Sequence, residues 1–182
     1  FARVRFPGRD VIFFCYLATM MIPGQVTLIP GYILIKYLGW IDRYFALTIP
    51  FLFGSAFGTF LLRQFFQTIP TELEDAACID GAGYFDTYFR IILPLAKPAL
   101  ATLGVFVFLH FWNDFLWPLI VINTNELRTL PVGLAVVSRS MFGTDWPALM
   151  GGACISLVPI LIIFFFAQRY FVQGITLTGL KG

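Results

Sequence analysis

Charge is the scarcest ingredient of this sequence: 12% of its 182 residues are Asp, Glu, Lys or Arg, about half the share in soluble globular domains, while 59% are hydrophobic. The surface of a soluble fold could not be kept wet with so few charges. A formal net charge of +2 is also too small to point to a nucleic-acid partner. Histidine occurs once, at His110, and cysteine three times, at Cys15, Cys78 and Cys154, with no C-x-x-C pair. That odd, widely spaced set excludes a disulfide framework and a Cys/His zinc site. Two of the cysteines lie in apolar segments and are expected to be buried as small hydrophobes. Also missing are a G-x-x-x-x-G-K-[ST] phosphate loop, G-x-S-x-G and H-E-x-x-H, so the chain has no motif with which to cradle ATP or to run those hydrolytic chemistries. It opens on Phe1-Ala-Arg-Val-Arg without an initiator Met or a signal-peptide pattern, and reads as a piece of a longer protein.

What the sequence does have is long apolar runs. Four stretches are long enough to cross a bilayer, at residues 11–34, 44–62, 99–122 and 148–170, which predicts an all-α polytopic membrane protein. The flanking basic residues set the expected orientation. Arg3, Arg5, Arg9, Arg63, Arg90, Lys97, Arg169 and Lys181 fall on one side; Lys36, Arg43, Arg128 and Arg139 fall on the other. The positive-inside bias makes the richer side cytoplasmic, with both ends of this chain there. Pro23-Gly24 and Pro30-Gly31 argue that the first run is not an unbroken helix. Between the last two runs, residues 127–137 are apolar but too short to span, and are expected along the membrane surface or slightly re-entrant.

The scarce acids are concentrated. Glu72, Glu74, Asp75 and Asp80, four of the ten, sit within nine residues of the cytoplasmic segment 65–98. Thr71 with Glu74 fits a capping box, Leu73, Ala76, Ala77 and Asp80 share a helical face, and Gly81 supplies a stop. A second short helix from Tyr84 to Leu93 places Tyr84 with Tyr88 and Phe85 with Phe89 as i, i+4 pairs. The acids suit the positive end of the helix dipole, and the alanines allow a partner's backbone to come close. Read from the residues alone, such a segment either docks a soluble partner or merely packs under its own helices.

Within the third run, Asp114 is the one carboxylate at membrane depth, and His110 four residues earlier would share its helical face, with Asn113 beside them. Two readings stay open. The polar groups border a solute path, with Trp112 and Trp117 offering ring faces, or they fix helix packing. A His–Asp pair would also serve an intramembrane enzyme or a proton relay, and a passive membrane scaffold is a further alternative class.

The run Glu74-Asp75-Ala76-Ala77-Cys78-Ile79-Asp80-Gly81-Ala82, followed by Leu93-Pro94 and Pro98, resembles the E-A-A loop of ABC importer permeases, with Asp75 where a glutamate is usual. Phe111-Trp-Asn-Asp-Phe-Leu-Trp-Pro-Leu119 and the end from Gln168 to Gly182 resemble the carbohydrate-uptake group, which contains the maltose and glycerol-phosphate systems. The resemblance covers essentially the whole chain. It implies one transmembrane permease domain over residues 1–182, the last four of six spanning helices, in a bacterial-type inner membrane. Residues 65–98 would be its cytoplasmic coupling loop and residues 171–182 a cytoplasmic tail. It further implies a second permease subunit, two ATPase subunits that carry ATP and Mg, and an extracytoplasmic solute-binding protein; no cofactor would be bound by this chain. Carried onto this sequence, ATPase docking falls to Glu74, Asp75, Ala76, Ala77, Asp80 and Gly81, with a weaker tail contact from Gln173, Gly174, Gly179 and Lys181.

Overall fold

Proline, glycine and a few polar side chains cut the apolar runs into helices shorter than the runs themselves. The computed structural model describes residues 1–140 and 143–178, the side chains of 139, 140 and 169–178 apart. In chain order the helices are α1 (Arg9–Ala18), α2 (Gly24–Tyr37), α3 (Tyr44–Thr48), α4 (Ala56–Thr68), α5 (Glu72–Ile79), α6 (Tyr84–Thr87), α7 (Leu93–Leu95), α8 (Lys97–Trp112), α9 (Leu116–Val121), α10 (Leu130–Val137) and α11 (Trp146–Thr178). The described strands are β1 (Arg139–Ser140) and β2 (Gly143–Thr144), paired antiparallel. Gly179 and Lys181 lie outside the described residues; Gln173 and Gly174 fall in α11, at positions whose side chains are not described.

Among the described residues, two stretches, Tyr44–Thr68 and Trp146–Gln168, are long and apolar enough to cross a membrane. Two further candidates are bent pairs, Arg9–Met21 with Gly24–Tyr37, and Tyr84–Leu95 with Lys97–Trp112, the second bent by 72°. The first run is therefore interrupted, as expected, at Pro23. Pro30, by contrast, is carried inside α2, and Pro159 inside α11. The third run departs from expectation: α8 stops at Trp112, and the chain resumes helix only at Leu116. The cause is local. Both the backbone N–H and the side-chain amide of Asn113 donate to the Leu109 carbonyl, at 3.2 and 2.8 Å, and Asp114 N–H closes a tighter bond on Phe111 O at 3.3 Å. A short amide that bonds back onto its own helix competes with the ladder and ends it.

The chain packs as two compact units. One comprises Phe1–Met21, Ser55–Phe106 and the chain from Ala167 on. Here Ser55 Oγ caps α4 by accepting from Gly58 N–H at 2.9 Å. A Cβ added at Gly58 would stand 3.3 Å from Leu103 of α8, so the missing side chain is what lets these helices come close. Phe57 and Phe106 meet edge to face at 5.8 Å, and the Arg63 guanidinium lies 4.1 Å over the ring of buried Phe13.

The other unit comprises Ile22–Gly54 and Val107–Phe166, centred on Ile35, Ala46, Val121 and Ile122. Asp42, in the left-handed region at φ 58°, ties the α2–α3 turn to the segment after α9. Its Oδ1 accepts from the N–H groups of Asn123 and Thr124, both at 2.9 Å, and from Thr124 Oγ1 at 3.0 Å. Those donors, the Thr124 N–H foremost, hold the Asp42 carboxyl below the ordinary carboxylate range.

Apolar character does not translate into burial within the chain. Of the thirteen buried hydrophobic residues described, six are alanines, and the largest fully buried side chains are Val121 and Val132. Cys15, Cys78 and Cys154 are all free and exposed, which corrects the expectation of buried cysteines. A chain that belongs in lipid turns its bulky side chains outward and brings its helices together through small ones, so hydropathy marks the run but not the inward face.

Candidate functional site

The acidic segment folds as two short helices flanking a tight stop. Chain direction changes after Thr68: Ile69 is extended (ψ 129°), Pro70 offers no N–H, and α5 begins at Glu72 with Thr71 before it. The capping box does not form. Thr71 has helical backbone angles and makes no side-chain cap bond, the Glu74 N–H donates to the Thr71 carbonyl at 2.9 Å, and the Glu74 carboxylate is taken by Arg3, whose Nε lies 2.8 Å from Glu74 Oε1. The other end of the same guanidinium donates to the Ile69 carbonyl. Sequence reasoning counted Arg3 only as one more positive charge; a lone arginine in a non-periodic segment carries no signal of where its guanidinium will go.

The helix stop is spelled out in the D-G-A triplet. Asp80 closes α5, Gly81 takes φ 81°, and Ala82 follows. Gly81 N–H donates to Cys78 O at 3.0 Å and Ala82 N–H reaches back to Ala77 O at 2.9 Å. This double closure is a Schellman motif, in which the left-handed residue is normally glycine because a Cβ is strained there. The motif thus ends an eight-residue helix at a fixed point.

The predicted docking set divides by exposure. Ala77 is buried within the chain and Glu74 is held by Arg3, whereas Asp75, Ala76, Asp80 and Gly81 face outward. Ile79, Tyr84 and Phe85 are each more than 80% exposed. Sequence reasoning missed Ile79, although a bulky aliphatic residue beside Asp80 at the end of an acidic helix is a readable signal. A cleft of about 530 Å³ lies beside the helix, lined by Arg3, Glu74, Cys78, Tyr84 and Ile92 among others.

The second helix also differs from expectation. α6 gives way to a π-helical segment, Tyr88–Ile92, before α7. A wider turn changes which residues stack, so the i, i+4 aromatic pairs do not form. Tyr88 instead meets Phe89 at 5.0 Å and Phe66 at 6.5 Å, leaving Tyr84 and Phe85 outside.

His110 and Asp114 do not share a helical face, because α8 ends between them. His110 is exposed with its ring against Phe111 at 5.1 Å, Asn113 caps its own helix, and Asp114 lies in the break. The flanking tryptophans act as braces. Trp117 Nε1 donates to Ala46 O at 3.0 Å and Trp112 Nε1 to Ser156 O at 3.1 Å. The Ala46 carbonyl is four residues before Pro50, which has no N–H to give it.

Residues 1–177 match the family of binding-protein-dependent transport system inner membrane components. The chain belongs to that family. Among its relatives in it, the arabinooligosaccharides transport system permease protein AraQ of Halalkalibacterium halodurans is 38% identical over 177 residues, covering 97% of this chain and 63% of that protein. The sn-glycerol-3-phosphate transport system permease protein UgpE of Brucella abortus is 42% identical over 175 residues, covering 96% of this chain and 62% of the relative. The fold resembles a chain of a bacterial ABC transporter involved in import of the acidic polysaccharide alginate, at a TM-score of 0.80 and 28% identity, covering 93% of this chain and 64% of that one. The chain therefore spans about three fifths of the length of the curated relatives it matches.

Proposed function

We propose that this chain is the larger part of a permease subunit of an ATP-driven importer for a sugar or related solute. It would form one half of the membrane pathway beside a second permease subunit, fed by an extracytoplasmic solute-binding protein, with both ends of the chain in the cytoplasm. ATP and Mg belong to two separate ATPase subunits. Both relatives named carry small hydroxylated solutes in their names, and an oligosaccharide or a polyol phosphate fits that chemistry.

The observation that supports ATPase docking most strongly is α5 itself. It is a short helix set off from α4 by Pro70 and stopped by left-handed Gly81, with Asp75, Ala76 and Ile79 facing outward. Ala76 leaves room for a groove wall, Ile79 supplies apolar area worth about 2 kcal/mol if covered, and the acids offer partners to basic side chains. The test uses the full-length permease with its partner subunits in lipid vesicles. Gly81→Asp adds a charge and a Cβ where φ is 81°, and is expected to abolish co-purification of the ATPase subunits and binding-protein-stimulated ATP hydrolysis. Assembly and stimulation at wild-type levels overturn the docking assignment.

A further inference from the structure

We infer that Arg3 is a positioning residue for coupling: it braces the elbow between α4 and α5, so that displacement of α5 is carried to α1 as well as along the chain into α4. The inference rests on the docking role proposed for α5 and extends it to a residue more than sixty positions away in sequence.

The elbow, residues 69–71, has little to hold its angle. Ile69 is extended, Pro70 has no donor, and the Thr71 hydroxyl makes no cap bond. Arg3 spans both arms. One end of its planar guanidinium donates to the carbonyl of Ile69, the residue that closes α4, and Nε stands 2.8 Å from Glu74 Oε1 in the first turn of α5, a charge contact and not an aligned hydrogen bond. Both side chains are about three-quarters buried, so water competes weakly for the pair. A rigid, always charged fork that contacts two segments fixes their relative orientation, which an ammonium on a flexible stem does not.

The base of the brace is itself anchored. Arg63 of α4 donates to the Phe1 carbonyl at 3.1 Å and to Asp10 Oδ1 of α1 at 3.2 Å. The Phe1 ring packs on Phe13 of α1 at 5.6 Å. Movement of α5 therefore pulls on a segment fastened to α1 and α4 together. The outward residues of α5, Asp75, Ala76 and Ile79, take part in none of these contacts.

The experiment compares Arg3→Gln, Glu74→Gln and the double variant in the full-length transporter in vesicles, measuring subunit co-purification, ATP hydrolysis and solute uptake. Arg3→Gln is expected to assemble normally and to raise ATP consumed per solute imported by about five-fold, the low end of ordinary coupling strengths. The double variant is expected to match the single ones, because all three remove one bridge. Wild-type stoichiometry in Arg3→Gln overturns the inference; so does an additive loss in the double variant. Gly81→Asp run alongside separates the two claims: if it blocks assembly while Arg3→Gln is silent, only the brace fails, and if both are silent the docking reading fails too. Should Arg3→Gln not accumulate, Arg3→Lys replaces it. An ammonium on a flexible stem reaches Glu74 and Ile69 O without fixing the angle between them, so a similar coupling loss is expected and wild-type coupling refutes the brace.

Discussion

Trp117→Phe isolates one hydrogen bond whose origin lies in a proline. In a regular helix the Ala46 carbonyl would accept from the N–H of residue 50, but that residue is Pro50, which has none. The Trp117 indole supplies the missing donor at 3.0 Å. Ala46 is fully buried and packs in the Ile35, Val121 and Ile122 cluster, so water cannot substitute once the indole is removed. A buried acceptor left without a partner costs about 1–3 kcal/mol. In a protein of this size that lowers the midpoint of thermal unfolding by about 2–4 °C per kcal/mol, hence roughly 4–8 °C for a central value. Circular dichroism at the helical band of the detergent-purified full-length permease reads the shift. The decisive variant is Trp117→Phe combined with Pro50→Ala, which returns an N–H to position 50 and is expected to recover more than half of the loss. If the single variant unfolds with the wild type, or if Pro50→Ala recovers nothing, the carbonyl is not the reason that Trp117 stands there.

Two other sites test packing and pH. A Cβ at Gly152 would overlap Leu134 Cδ2 and stand 3.2 Å from its Cγ; Gly152→Ala is therefore expected to cost about 1–3 kcal/mol in thermal unfolding, with partial recovery in Gly152→Ala, Leu134→Ala. Asp42 has its carboxyl held low by backbone donors, so its clasp contributes fully above the ordinary carboxylate range and is lost as pH falls through the lower folded value. Asp42→Asn, which tolerates the same φ, is expected to flatten the acid side of the stability profile below about pH 5, and an unchanged profile refutes the clasp.

The sequence was most legible where backbone chemistry is coded by single residues. Gly81 ends a helix and Pro23 interrupts one as read, although Pro30, read with it, is carried inside α2, and the apolar runs are helical. The break at Asn113 was missed because the run stays hydrophobic on both sides of it; hydropathy is blind to one amide that bonds back to Leu109. The aromatic pairing of α6 failed for a related reason, since a π segment changes the period on which the reading relied. In the candidate site, composition located the acids of α5 and the stop after them. It could not divide them into inward and outward residues, because Glu74 turns toward Arg3, a partner set by tertiary contact alone.

The alanine-rich interior has a consequence for how this protein tolerates change. In a soluble domain the vulnerable positions are large, and truncating them opens cavities. Here nearly half of the described buried hydrophobic residues, Ala46, Ala56, Ala77, Ala96, Ala99 and Ala167, are already at the floor, and truncation opens sizeable cavities chiefly at Phe13, Ile35, Ile69, Ile92 and Ile122. At those small positions sensitivity is inverted. Substitutions that add a few carbon atoms there force helices apart, whereas bulky residues that face lipid exchange freely so long as they remain apolar, the exposed Ile79, Tyr84 and Phe85 of the candidate docking surface excepted. Mutational damage in such a chain is written in its smallest side chains.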